Sequence, residues 1–208
     1  MSIGSEIAII LILILINGVL AMSEAALVAS RKARLQQKES EGHKSATLAI
    51  KLLEDPNIFL SAVQIGITLI GVLAGAVGGA TLSEKLALVL VNIPYIGEYS
   101  QSIALGVVVV VITILSLWLG ELVPKRLGIN SPEQIAIAMA RPVLLISKVF
   151  SPFIKLMSSA TNFVLKLIGV NPSDDPPITE EELQMLISQG TEAGVFEESE
   201  QDMVEGVF

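Results

Sequence analysis

The residues able to do chemistry in this chain are oxygen donors set inside apolar stretches. Asn17, Ala21 and Glu24 recur at i, i+4 and i+7, with Ser23 beside them. Ser61, Gln64, Thr68, Gly71 and Gly75 recur at i, i+3, i+7, i+10 and i+14, and Thr113, Ser116 and Gly120 at i, i+3 and i+7, followed by Glu121. On a helix each set shares one face. Hydroxyl, amide, carboxylate and backbone carbonyl oxygens are hard ligands, suited to Mg²⁺, Ca²⁺, Mn²⁺ or Na⁺. The chain has no cysteine and one histidine, His43, so thiolate sites and a multi-histidine zinc site are excluded. His43 lies in a hydrophilic stretch and reads as a solvated residue. Pro124 has no amide hydrogen to give, so carbonyls around Gly120 are left for other donors. Each feature also has a structural reading. Thr113 and Ser116 could bond back to their own backbone. Asn17 could bond across helices, Glu24 could pair with Arg31 or Lys32, and Glu121 with Lys125. The convergence of three stripes carries the ion-binding expectation.

The elements that must position these stripes are membrane helices. Of 208 residues 52% are hydrophobic and 16% charged, against about 25% charged in a soluble domain. The net charge of −8 argues against a nucleic-acid partner. It divides unevenly: residues 1–173 hold all 13 bases and 10 acids, and residues 174–208 hold 11 acids and no base. Three stretches reach the roughly 20 apolar residues that a crossing needs. They span about 7–29, 57–80 and 100–122. Arg31, Lys32, Arg34 and Lys38 follow the first, Lys44 and Lys51 precede the second, and Lys125 and Arg126 follow the third. That bias predicts an N-terminus outside and a C-terminus in the cytoplasm of a multi-pass plasma-membrane protein. Residues 33–54 read as a cytoplasmic helix or helical pair. The Gly71, Gly75, Gly79 ridge reads as a dimer or bundle contact.

Residues 133–170 are also apolar. Arg141, Lys148 and Lys155 repeat every seven residues, continued by Asn162, with Lys166 beyond, on one narrow face. In a crossing, Lys148 and Lys155 would each cost about 2.5–3.5 kcal/mol. The stretch is therefore expected to be an amphipathic juxtamembrane helix. The expected organisation is all-α and dimeric: a three-span region over 1–132, a juxtamembrane helix over 133–170 and an acidic cytoplasmic helical region over 171–208.

Asn17-Gly18-x-x-Ala21-x-Ser23-Glu24-x-Ala26-Leu27-Val28, Gln64-x-Gly66-x-Thr68 and Gly120-Glu121-x-x-Pro124-Lys125 resemble the DUF21 transmembrane domain of the cyclin M / CorC family of Mg²⁺ transporters. The resemblance covers essentially the whole chain, with three motifs in order. It implies a homodimer, no enzymatic activity, and Mg²⁺ export coupled to Na⁺ influx. It places the ion at Ser23 and nearby backbone of the first helix, at Gln64 and Thr68, and at Gly120-Glu121. Joined to the stripe residues Asn17 and Ala21, these are the candidate metal ligands. The chain stops at Phe208, with no room for the paired CBS domains of full-length members. It therefore reads as a piece of a longer protein whose own CBS domains would be partners, and ATP binding is not expected of it. No Walker-type phosphate loop is present, so an opposing ion gradient is the expected energy source. Competing expectations are a passive cation channel and a membrane-anchored sensor or scaffold that conducts nothing. A serine protease is not expected, since no base stands beside Ser23 in the sequence pattern.

Overall fold

The computed structural model describes residues 2–95, 97–169, 185, 187–191, 194, 197 and 203. Among these the chain is helical, with no strand. Helix α1 runs Ile3–Ala29, α2 Lys32–Ser40, α3 Lys44–Glu54 and α4 Pro56–Val77. A π turn, Gly78–Leu82, joins α4 to α5, Ser83–Leu90. After a 3₁₀ turn, Gly97–Tyr99, α6 runs Ser100–Leu117 and passes through a second π turn, Trp118–Leu122, into α7, Val123–Asn130. Helix α8 is Pro132–Ile168. Four continuous helical segments are long and apolar enough to cross a membrane: Ile3–Ala29, Pro56–Leu90, Gly97–Asn130 and Pro132–Ile168. A multi-pass membrane protein follows.

Local chemistry sets the ends. Ser2 caps α1, its hydroxyl accepting from the Ser5 amide at 3.2 Å. The segment expected as a helix or helical pair is a pair. Gly42, at φ +91°, turns α2 into α3, and His43 N–H donates to Lys38 O at 3.1 Å. His43 is exposed, as its hydrophilic surroundings predict.

Two spans run further than the sequence suggests. The second continues past residue 80 because the π turn carries the helix onward, and Ser83 N–H donates to Gly78 O. The third continues past residue 122 although Pro124 follows. Val123 N–H donates to Trp118 O, five residues back, and the helix runs on through Pro124 although that residue brings no amide donor of its own.

The compact unit Met1–Ala160 holds two apolar clusters. One gathers Leu20, Leu27, Leu35, Leu52, Phe59, Val63, Ala136, Ala140 and Val143, joining α1, the α2–α3 pair, α4 and the start of α8. It lies at the end of the bundle that carries the Lys/Arg bias, the basic end. The other joins Ile10 and Ile14 to Val108 and Ile112. There the ion pair Glu6–Lys85 has Lys85 Nζ donating to both carboxylate oxygens at 2.8 Å, and Glu6 is only 2% exposed. The second unit, 161–208, holds the last turns of α8 and helical residues at 185 and 187–191. The expected acidic helical region over 171–208 falls mostly outside the described residues.

Candidate functional site

Small residues let α1 and the third span meet backbone to backbone. A Cβ on Gly18 would lie 2.9 Å from Pro124 Cγ and 3.0 Å from Leu119 O. On Gly120 it would lie 3.2 Å from Asn17 Nδ2, and on Gly128 2.5 Å from Met22 O. The seam Gly18, Gly120, Gly128 therefore brings the second π turn and α7 against α1.

The polar groups follow from that approach. In an ordinary α register Gly120 O would accept from residue 124, which is proline. Instead Asn17 Nδ2 donates to Gly120 O at 3.0 Å, across 103 residues of sequence. The carbonyl that the sequence leaves unpaired is thus taken by a side chain from another helix. The amide's other end, Asn17 Oδ1, is buried and has no hydrogen-bond partner. A buried amide oxygen left without a donor costs about 1–3 kcal/mol.

Asn17 lines a cavity of about 270 Å³ between α1, α4 and the α6–π-turn segment. Its other polar walls are Thr113, Ser116 and Glu121, and Gly71 and Gly75 of α4 complete it. The ridge expected as a packing contact divides: a Cβ on Gly79 would lie 3.7 Å from Leu105 Cδ1 of α6, an ordinary packing contact, whereas the Gly71 and Gly75 end is open within the chain. Nothing comes within 4 Å of a Cβ placed on Gly71 or Gly75. In the π turn that follows, α6 presses closest on Gly78, whose Cβ position is filled by Ile112.

Toward the basic end, Lys125 Nζ lies 2.9 Å from Glu121 Oε1 and 3.5 Å from Glu24 Oε2. The sequence reading weighed Glu121 pairing with Lys125, and that pair is present. For Glu24 the alternative of a pair with Arg31 or Lys32 is corrected: its partner is Lys125. The α1–α7 seam brings Lys125 closer, so one ammonium bridges two carboxylates. Lys125 thereby reaches Glu24, the neighbour of Ser23, but not Ser23 itself, whose hydroxyl donates to Leu20 O.

The candidate ligands are therefore distributed unevenly. Asn17 and Glu121 line the cavity, and Gly120 is joined to it through its carbonyl, which accepts from Asn17 Nδ2. Ser23 is wholly buried and its hydroxyl donates to Leu20 O at 2.7 Å. Ala21 is wholly buried. Gln64 is exposed, and the exposed Thr68 donates its hydroxyl to Gln64 O at 2.8 Å. None of these four lines the cavity. Thr113 and Ser116, outside the expected ligand set, do line it; their place on the Gly120 stripe was the signal. Among the described residues no three His, Cys, Asp or Glu side chains cluster for a metal ion. Any cation here would meet one or two carboxylates plus neutral oxygens, a donor set compatible with a partly hydrated hard ion.

Comparison with known proteins agrees with a membrane-domain reading. A model of the cyclin M transmembrane N-terminal domain matches residues 8–200. The UPF0053 protein sll0260 of Synechocystis sp. is 46% identical over 207 residues, covering 100% of this chain and 46% of that protein. The polyamine export protein of Haemophilus influenzae is 28% identical over 199 residues, covering 96% of this chain and 46% of that protein. UPF0053 protein YhdT of Bacillus subtilis is 31% identical over 199 residues, covering 95% and 43%. The chain spans a little under half the length of these curated relatives.

Proposed function

This chain belongs to the cyclin M transmembrane N-terminal domain family, and from that premise we propose that it forms the membrane pathway of a cation exporter whose cargo is Mg²⁺. The observation that carries the reading is the unpaired, buried Asn17 Oδ1 on a cavity that also presents Glu121, Thr113 and Ser116. All are hard oxygen donors. Mg²⁺ is held by few carboxylates and keeps several waters, and this wall offers few carboxylates and space for water. The Lys/Arg bias orients the Glu24–Lys125–Glu121 cluster toward the cytoplasm, where it faces the ion to be exported.

In this arrangement the Lys125 ammonium is a tethered cation between two carboxylates. An arriving divalent ion competes with it for Glu121. Moving Mg²⁺ outward against an inside-negative potential costs about 4.6 kcal/mol per 100 mV for its two charges. Inward Na⁺ movement is the proposed source. Two copies of the chain and the CBS domains of the longer protein complete the proposed assembly.

A second cargo is favoured by one observation. Lys125 shows that the Glu24–Glu121 pair accepts a primary ammonium group, the chemistry of a polyamine terminus, and several relatives are named polyamine export proteins. Proteoliposomes separate the readings. With an opposing Na⁺ gradient, Mg²⁺ flux is expected, and Asn17→Leu and Glu121→Gln are expected to lower it at least tenfold. Spermidine flux without Mg²⁺ flux would overturn the Mg²⁺ assignment. Flux indifferent to Na⁺ would indicate a channel, and no flux of either cargo a sensor or scaffold. Calorimetric Mg²⁺ affinity unchanged in Glu121→Gln would remove that carboxylate from the site.

A further inference from the structure

Helix α8 has three faces that differ in chemistry. Ala136, Ala140, Val143, Ser147 and Ile154 are buried, the first three in the cluster at the basic end of the bundle. About 110° round the helix, at 3.6 residues per turn, lie Arg141, Lys148 and Lys155, all exposed. About 80° further lie Leu145, Val149 and Leu156, exposed by 65, 67 and 61%. None of the three bases is ion-paired with another described residue. The one acid within α8, Glu133, faces Arg34 of α2 at 3.9 Å, outside the stripe.

We propose that this stripe is a docking site for anionic phospholipid headgroups of the leaflet at the basic end, with α8 lying along the bilayer surface. A helix whose buried face holds protein has two other sides to satisfy. The Leu145–Val149–Leu156 side takes acyl chain, and the basic side takes phosphate. Charge complementarity selects the occupant: three unpaired cations in a row have no acidic partner within the described protein, and the leaflet supplies anions. Seven-residue spacing sets the charges about 10 Å apart along the axis, too far for two to grip one phosphate. Each therefore meets a separate headgroup, and recognition is by charge rather than by headgroup identity. Because the same helix contributes Ala136, Ala140 and Val143 to the core that seats α2, α3 and α4, lipid charge bears on the end of the bundle where α1 and α7 meet. This inference is independent of which cation is carried.

The chain has no cysteine, so single cysteines can be placed at will. Nitroxide labels at Leu145→Cys, Val149→Cys and Leu156→Cys, in bilayers, report depth through collisions with oxygen and a nickel chelate. All three are expected at one shallow depth. A helix crossing the membrane would spread positions 145 and 156 by about 16 Å, and that result overturns the proposal. In the second arm, spin-labelled phosphatidylglycerol and phosphatidylcholine compete for the protein. Replacing Arg141, Lys148 and Lys155 by Gln together is expected to lower the preference for phosphatidylglycerol about fivefold per charge, near a hundredfold in all. High salt is expected to do the same to the unaltered chain. An Arg31→Gln, Lys44→Gln, Lys51→Gln variant, with equal charge loss on the α2–α3 side, controls for net charge. Equal loss in that control, or displacement of the lipid by millimolar inorganic phosphate, overturns the assignment. Melting in pure phosphatidylcholine verifies that each variant is folded.

Discussion

The seam between α1 and α7 makes a sharp quantitative expectation. Replace Gly128 by Ala. The new methyl would stand 2.5 Å from Met22 O, 3.1 Å from Ala25 Cβ and 3.1 Å from Ala26 N. The first two neighbours in this list include backbone and a stub methyl, so no flexible side-chain tip can swing aside. To reach 3.4 Å from Met22 O the helices must part by about 0.9 Å, and the same movement loosens the Asn17–Gly120 bond at 3.0 Å. Overpacking of this kind costs about 1–3 kcal/mol. For a chain of this size that lowers Tm by roughly 2–12 °C. Ala also outranks Gly as a helix former by about 1 kcal/mol, which offsets part of the loss. Gly71→Ala is the internal control, because its Cβ meets nothing within 4 Å. It gains the helix propensity without the clash, so Tm is expected to hold or rise. Yet it narrows the cavity, so cation flux is expected to fall. Detergent melting curves and proteoliposome flux, measured on both variants, give a crossed pattern: Gly128→Ala unstable, Gly71→Ala stable but slow. If Gly128→Ala melts with or above Gly71→Ala, which gains the same helix propensity without the clash, the close approach of α1 and α7 is wrong, and with it the route by which Asn17 reaches Gly120.

Three other expectations follow from the same geometry. Lys85→Met removes the ammonium from the Glu6 carboxylate and is expected to lower the melting temperature, with much of the loss recovered in the Glu6→Met, Lys85→Met double variant. Thr113→Val with Ser116→Ala removes two hydroxyls from the cavity wall while keeping its volume nearly constant; cation affinity is expected to drop by calorimetry with Tm shifted by less than about 1 kcal/mol equivalent. At the α2–α3 turn, the Lys38 ammonium, 2.8 Å away, holds the Glu41 carboxyl below its ordinary 4.5. Its small contribution to stability is therefore present above pH 4.5 and lost as pH falls through the lowered value, and Lys38→Met is expected to raise the Glu41 midpoint toward 4.5 in a carbon-detected NMR titration.

How much of this was legible beforehand can be read from particular residues. The apolar runs that become α1, α4 and α6 are long and uncharged, and no fold of a soluble domain could bury them all. The α2–α3 pair, the exposed His43 and the Thr113–Ser116–Gly120 stripe follow from residue type and helical period alone. The family resemblance rests on motifs local in sequence, and the match over residues 8–200 bears it out. Other features were not legible. The two π turns shift the hydrogen-bond register by one residue, and a proline in the chain signals an end rather than a detour that lets the helix go on. Ser23, Gln64 and Thr68 carry ligand-type oxygens, but whether a hydroxyl faces a cavity or bonds back to Leu20 or Gln64 depends on helix rotation, which sequence period fixes only relative to the same helix.

The sequence by itself therefore determined which segments are helices, which faces are polar and which end of the bundle is basic, because those depend on hydropathy and on spacing along one chain. The tertiary structure alone decided which faces meet. Asn17 and Gly120 are 103 residues apart and Glu6 and Lys85 are 79 apart, and no local pattern joins them. What joins them is steric: helices approach where Gly18, Gly120 and Gly128 leave no side chain in the way, and that approach selects which polar groups share a cavity and which lysine stands between two carboxylates.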